Sequence, residues 1–447
     1  MPCAWVLDTR VVSIHLPEDR TCKNIAKDGK CHCHVRTGGD TLEGEISFQL
    51  ALNIESTIDV CFEGLSRTWL PNENDYNEPF KNENHFLQQV ESIKVPPHSE
   101  DASRAWPETR TVSFKFKIPK TLPVAASVPD LDPRPQELHP SVAVGHVHRD
   151  GTDSYMQPLI MYRLVASIRT KGMEPERPRV GIVRKIKIMP TTHRPPPVYL
   201  STFEQEYSLE ATSKLRKHFY GHSEGLLEFA AEEPEPIDIS SHDPRSSTRI
   251  VLRASFRPDK AVSRGTIEPY NWTFSVRTRL QRRVFYATEP LTREPTLKIF
   301  RTSSYIGLRT EILQTEEREY TELTWRNDHT SSNGTIVMRD ENECPWLVTI
   351  PVVLTSNHNL IPSFSSATAA LRYSVILDIR SSRPWSSHAT LELPLQVFSR
   401  SRASSEHRPS SGDDFHSHIS HMTDEECEEN VIEELMTRPP EYRRWAF

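Results

Sequence analysis

The alternation of apolar and polar residues predicts an all-β protein: two β-sandwiches in tandem, followed by a disordered tail. Three observations carry this. Apolar residues recur at period two in run after run. Glycine is scarce at 15 while proline is abundant at 35. Composition changes abruptly near Ser399. Period two places every apolar side chain of a strand on one face. A strand with one dry and one wet face belongs to an antiparallel sheet, and two such sheets stacked give a sandwich. Frequent proline disfavours long helices. At 447 residues, two domains are expected, each large enough to bury a core.

The runs follow in order. Ile46, Phe48, Leu50 and Leu52 share a face, and Ile58, Val60 and Phe62 follow, ending at Gly64. Val112, Phe114, Phe116 and Ile118 alternate with Ser113, Lys115 and Lys117 until Pro119 stops the run. Residues 120–155 carry Pro, His and Asp without a period and read as a long loop. Ile160, Tyr162, Leu164, Ala166 and Ile168 form a long strand, and Ile186 and Ile188 alternate with Lys185 and Lys187. The second half repeats the theme: Ile250 to Phe256, Trp272 to Leu280, Tyr373 to Ile379 and Leu391 to Val397. The boundaries this implies are 1–190 for the first sandwich, 191–224 for a proline-rich connector, 225–400 for the second sandwich and 401–447 for the tail. The triplet Pro195-Pro196-Pro197 stiffens the connector, and a polar stretch with Lys214, Arg216 and Lys217 follows it.

Charge is uneven. The tail holds eleven acidic and five basic residues, which accounts for −6 of the total of −7 and leaves the first 400 residues near neutral. Phosphate binding needs a basic excess, so nucleic acid is not expected as a partner. The seven cysteines are odd in number and scattered, unlike a disulfide framework. The first ten residues lack the basic and apolar regions of a secretory signal, and no run of about 18 apolar residues exists. The expected compartment is the cytoplasm, where the sequons at Asn271 and Asn333 stay unmodified.

The most informative motif is near the end. Pro439-Pro440-Glu441-Tyr442 is a Pro-Pro-x-Tyr sequence in an acidic segment without lysine. A proline pair presets the polyproline II conformation, so little chain entropy is lost on binding. The tyrosine adds a flat ring with a polar tip, which suits the aromatic groove of a WW domain. A second copy, Pro196-Pro197-Val198-Tyr199, lies in the connector. There Val198 and Tyr199 have an alternative use, packing against a sandwich. Thr423 and Glu426 have capping-box spacing ahead of Val431 and Leu435.

Chemistry-bearing clusters are sparse. Cys31-His32-Cys33-His34, with Cys22 nearby, has no second ligand pair, and alternation splits its ligands between two faces. It reads as a surface loop, and neither a metal nor a cofactor is expected. No glycine-rich phosphate loop and no nucleophile or zinc-hydrolase motif occurs, so catalytic residues are not assigned. The run Arg400-Ser401-Arg402-Ala403-Ser404-Ser405 offers Ser404 and Ser405 as candidate phosphorylation sites, where new charge would sit beside arginines. A plain solvated tail is the other reading.

The order of these segments resembles the arrestin fold, in particular the fungal-type α-arrestins. The first half carries a phenylalanine-rich strand ending in a Leu-Pro turn (Phe114–Ala125), then a Tyr-x-Leu-x-Ala strand (Ile160–Arg169). The middle carries Leu215-Arg216-Lys217, the turn at Gly221, Gly225-Leu226-Leu227 and Glu233-Pro234. The second half carries Val348–Phe364, Leu371–Arg380 and Leu391–Phe398. The resemblance covers roughly residues 5–400. It implies immunoglobulin-like sandwiches and a non-enzymatic trafficking adaptor. Such an adaptor links cytoplasmic regions of plasma-membrane transporters or receptors to a WW-domain HECT-type ubiquitin ligase, at the plasma membrane and endosomes. Ubiquitin placed on the adaptor itself needs lysines outside the tail. Lys185, Lys187, Lys214 and Lys217 flank the connector, although a solvated strand face explains them as well. The alternative is a structural component of a vesicle coat that recruits no ligase.

Overall fold

The computed structural model describes residues 12–21, 34–49, 56–70, 80–96, 109–122, 136–143, 158–170, 179–192, 200–203, 206–216, 223–240, 246–259, 269–327, 345–356, 360–382 and 388–400. Within them the chain is nearly all β: twenty-three strands, two short helices and a 3-10 turn. This is compatible with stacked sandwiches.

The first eleven strands are β1 (Val12–His15), β2 (Val35–Arg36), β3 (Thr41–Gln49), β4 (Ser56–Leu70), β5 (Phe80–Val95), β6 (Thr109–Lys117), β7 (Thr121–Leu122), β8 (Gln136–Glu137), β9 (Val142–Ala143), β10 (Leu159–Thr170) and β11 (Arg179–Ile188); helix α1 spans Pro17–Thr21. One sheet has the order β1-β3-β6 and a larger one β2-β11-β10-β4-β5, with β9 added beside β10. Their dry faces meet: the rings of Phe62 and Phe116, one from each sheet, lie 6.1 Å apart. Burying one such side chain stabilises by roughly 1.5–3 kcal/mol.

Two readings change here. The strand expected to end at Gly64 continues to Leu70, with a β-bulge between Gly64 and Leu65. A Cβ at Gly64 would lie 2.5 Å from the Phe86 ring and 2.9 Å from that of Tyr162, so the glycine admits two rings rather than ending the strand. The segment read as one loop holds the short pairs β7–β8 and β9–β10.

The later strands are β12 (Glu210–Arg216), β13 (Ser223–Ala231), β14 (Ile237–Asp238), β15 (Ser246–Pro258), β16 (Phe274–Ala287), β17 (Ile306–Tyr320), β18 (Arg326–Asn327), β19 (Trp346–Ser356), β20 (Phe364–Ser365), β21 (Ala369–Ser381), β22 (Ala389–Leu395) and β23 (Val397–Phe398), with helix α2 at Leu297–Thr302. They form the sheets β12-β13-β15-β19-β18 and β17-β16-β21-β20, with β22 beside β21, and a small parallel pair β14-β23. Again the inner faces meet, Phe229 edge-on to Phe274 at 5.8 Å and Phe256 against Trp272 at 4.8 Å. The polar stretch with Lys214 is a strand and not a linker, since β12 pairs along β13.

Strand β21 departs from the one-sided rule. Every residue from Ala369 to Leu377 is buried, so both faces are covered. One face meets the core. The other is covered by α2 and by the 3-10 turn Leu200–Phe203, which brings Phe203 over Arg372. Early and late strands also touch through neutral groups. Thr68 donates to the Ala287 carbonyl at 2.6 Å, Asn82 donates to the Thr288 carbonyl at 2.8 Å, and the Ser66 and Thr368 hydroxyls lie 2.9 Å apart.

Candidate functional site

The corner where the connector begins is also the corner where the tail leaves. Strand β11 ends at Ile188, and the next residue, Met189, donates its N–H to the Arg36 carbonyl. Four residues after the strand, the Thr192 N–H donates to the Ser399 carbonyl at 2.8 Å, and Thr192 pairs in parallel with Arg400. The second segment is held by β23, which pairs in parallel with β14.

Asp238, at the end of β14, locks this corner. Its carboxylate accepts the Arg400 backbone N–H at 3.2 Å and lies 3.3 Å from the Arg400 guanidinium. It also accepts the Ser240 hydroxyl at 2.7 Å and the Ser240 N–H at 2.9 Å. Burial would raise the Asp238 carboxyl, but these donors outweigh burial and hold it below the usual carboxylate range. The arginine in turn lies over the Phe398 ring at 5.7 Å.

Where the chain resumes after the connector, a buried charged cluster receives it. Glu206 accepts the Leu297 N–H at 2.6 Å and the Arg372 Nη2–H at 3.2 Å. Arg372 also donates to the Pro295 carbonyl at 2.8 Å. Its guanidinium lies between two rings, Phe203 at 4.1 Å and Phe285 at 4.7 Å. Arg283 pairs with Glu392 at 2.8 Å and approaches Glu206 at 3.8 Å. Burial pushes the neighbouring Tyr207 hydroxyl up to about 12. The cluster fixes the chain directly after Leu200–Phe203 to β16, β21 and β22. Alternation gave no sign of it, because Arg372 occupies a register that reads as a wet face. A charged residue between Leu371 and Tyr373 was the one signal present.

The sequence-assigned residues divide sharply. Pro196, Pro197 and Tyr199, Pro439, Pro440 and Tyr442, Ser404 and Ser405, Lys217, and Cys22 and Cys31 to Cys33 lie outside the described residues. Lys185 is half-buried and Lys187 exposed on β11, while Lys214 is exposed on β12 in a different sheet. Among the described residues, no three His, Cys, Asp or Glu side chains converge as metal ligands, and no helix is long and apolar enough to cross a membrane.

A wide concavity of about 1330 Å³ lies along β12, β13, β15 and β19. Its lining carries both signs, Arg253, Arg257 and Arg326 with Glu210, Glu228 and Glu322, and Arg257 pairs with Glu228 at 3.1 Å and Arg253 with Glu232. It therefore presents no single-sign field to a polyanion. The sequence matches no family model and no curated protein.

Proposed function

We propose that this chain is a trafficking adaptor of the α-arrestin type. Two tandem immunoglobulin-like sandwiches engage a cytoplasmic part of a membrane transporter or receptor, and Pro-Pro-x-Tyr segments recruit a WW-domain HECT-type ubiquitin ligase. The observation that carries the reading is the pairing of Thr192 with Arg400. Pro196 follows Thr192 by four positions, and Pro439 follows Arg400 by 39. Both motifs are therefore tethered at one point of a rigid β scaffold. A chain of 39 residues reaches up to about 130 Å, ample for two motifs to occupy two WW domains of one ligase. The second contact is then intramolecular, which raises avidity through effective concentration. The chain itself makes or breaks no bond in this scheme, and cargo modification follows from proximity.

The test is capture of the full chain by a purified array of WW domains. Tyr442→Ala is expected to weaken capture about tenfold or more, and Tyr442→Ala with Tyr199→Ala to abolish it. Unchanged capture by the double variant would overturn ligase recruitment and leave the coat-component reading in its place.

A further inference from the structure

The outward face of the first large sheet carries an apolar band that the strand registers make continuous. Val90 of β5 lies opposite Cys61 of β4, Cys61 opposite Val165 of β10, and Val165 opposite Val183 of β11. All four point away from the core, because the alternate residues Val60, Phe62, Leu164 and Ala166 are the ones buried in it. The band is open: Val90 is 57% exposed, and Cys61, Val165 and Val183 are half-buried. A lone exposed valine is ordinary, but an apolar row across four strands breaks the polar pattern of a wet face.

Charge is sorted on either side of the band. On one side the register gives the row Gln88, Glu63, Arg163 and Lys185; on the other it gives Ser92, Asp59 and Ser167, with Lys94, Thr57 and Arg169 one row beyond. In these rows β4 supplies the carboxylates, Asp59 and Glu63, and β10 the guanidiniums, Arg163 and Arg169. Within the chain Glu63 pairs with Arg163, and Asp59 with Arg169 at 2.8 Å. Lys94, near the end of β5, is the one basic residue on the acidic half of these rows. An acidic file beside a basic file repels a partner of either single sign at one of its halves. It does complement its own image. A two-fold axis parallel to the strands, midway between β4 and β10, sets β4 of each copy over β10 of the other. Cys61 then lies over Val165 of the second copy and Val90 over Val183, while Glu63 faces Arg163 and Asp59 faces Arg169. Each contact occurs twice.

We propose that this face docks a second copy of the chain, sheet against sheet, about that axis. The contact has an apolar centre and a charged rim, the usual anatomy of a protein interface. A strand spacing of about 4.8 Å and a rise of about 3.3 Å per residue make the patch on the order of 400 Å² per copy. That is about half of what a stable complex buries on each partner, roughly 800 Å². The dimer is therefore transient, with a dissociation constant on the order of 10–100 µM. It is independent of ligase recruitment.

Sedimentation velocity of the full chain, from about 5 to about 300 µM, tests this. The parent is expected to pass reversibly from monomer to dimer over that range. Val90→Glu should fold normally, because Val90 is exposed, and is expected to weaken the dimer about tenfold or more. Val353→Glu, at an exposed position of β19, should leave it unchanged. The charge files give a second readout. Asp59→Arg and Arg169→Asp, each alone, set like charges across the interface twice and are expected to weaken self-association about tenfold. An equimolar mixture of these two variants restores opposite charges at both contacts, and its mixed dimer should recover to within about threefold of the parent. A parent that stays monomeric up to about 300 µM overturns the proposal. So does a dimer that Val90→Glu leaves intact, or that Val353→Glu weakens equally. A mixture that fails to recover overturns the two-fold pairing, and the proposal with it.

Discussion

Arg184 and Arg372 are both buried arginines facing acidic side chains, and they are satisfied in opposite ways. Arg184 meets Asp19 of α1 through two parallel bonds, 2.5 and 2.6 Å long, and also donates to the Ile14 carbonyl at 3.1 Å. The two side chains are only 2% and 8% exposed. This is a closed fork-to-fork pair, which matches carboxylate geometry best. Arg372 spends one nitrogen on Glu206 and Pro295, while its Nε and Nη1 are buried without partners. Its compensation is stacking on two rings, worth about 0.5–2 kcal/mol. A buried guanidinium is therefore held either by completing its hydrogen bonds or by covering its faces. The first arrangement has no slack, and the second has two donors in reserve.

The largest effect should come from opening the closed pair. Asp19→Ala leaves a buried guanidinium uncompensated, and such losses cost about 3–5 kcal/mol. A urea midpoint well below that of the parent is expected. Asp19→Leu combined with Arg184→Leu should recover most of the loss, because a buried pair often does no better than an apolar one. If Asp19→Ala proves milder than Arg372→Met, the contrast between the anchors fails.

The same contrast explains what could be read in the sequence. Arg184 shares parity with Ile186 and Ile188, so a charge at an inward register was visible in the residue string. Its partner was not, since Asp19 is 165 positions away and a helix of five residues leaves no period. The cover over Arg372 was not legible for another reason. Its face of β21 is covered by Phe203, Glu206 and α2, and no local pattern tells a strand which remote segment will roof it. The inner faces themselves, Ile250 to Phe256 or Trp272 to Leu280, were legible because alternation states them directly. The long edge strands β5 and β17 were not, because polar residues on both faces erase the period. The Pro-Pro-x-Tyr motifs were legible as motifs. That their tethers begin side by side was not, because Thr192–Arg400 is a long-range backbone contact.

A third buried ionisable group sharpens the comparison, because it has no ion partner among the described residues. His139 is packed edge-on to Phe86 at 5.2 Å and against Phe364 at 6.2 Å, while its own carbonyl accepts the Tyr162 hydroxyl. Burial pushes its imidazole down to about 4, so the folded chain keeps it neutral. Between pH 6.5 and about 4 the unfolded chain takes up a proton that the folded chain refuses. Stability is therefore full above pH 6.5 and falls as the pH is lowered, by about 2 kcal/mol at pH 5. His139→Phe should flatten that part of the profile, measured as melting temperature against pH. An unchanged slope would mean that the ring finds a partner on protonation, as the arginines do.

Arg372→Met tests the open anchor and should cost about 1–2 kcal/mol. The variant loses two stacked faces and the bonds to Glu206 and to the Pro295 carbonyl, but it also removes two orphaned donors. Glu206 keeps the Leu297 N–H and the nearby Arg283. Arg372→Lys should be no better than Met, since an ammonium cannot stack on Phe203 and Phe285 as a planar group does. A loss as large as that of Asp19→Ala would show the two anchors to be equivalent.

The smallest expected effect lies between the early and late strands, where no charge is involved. Thr68→Val keeps the volume and removes the bond to the Ala287 carbonyl, at a cost of about 1 kcal/mol. Its value is in combination. Thr68 and Asp19 share no hydrogen-bond partner, so in one cooperative unit the two losses should add to within about 0.5 kcal/mol. If early and late strands unfold separately, Asp19→Ala splits the denaturation curve into two transitions, and only then does Thr68→Val move them closer to independence. A single transition shifted by the sum would make the neutral seam strong enough to transmit the loss of a charged anchor across the whole chain.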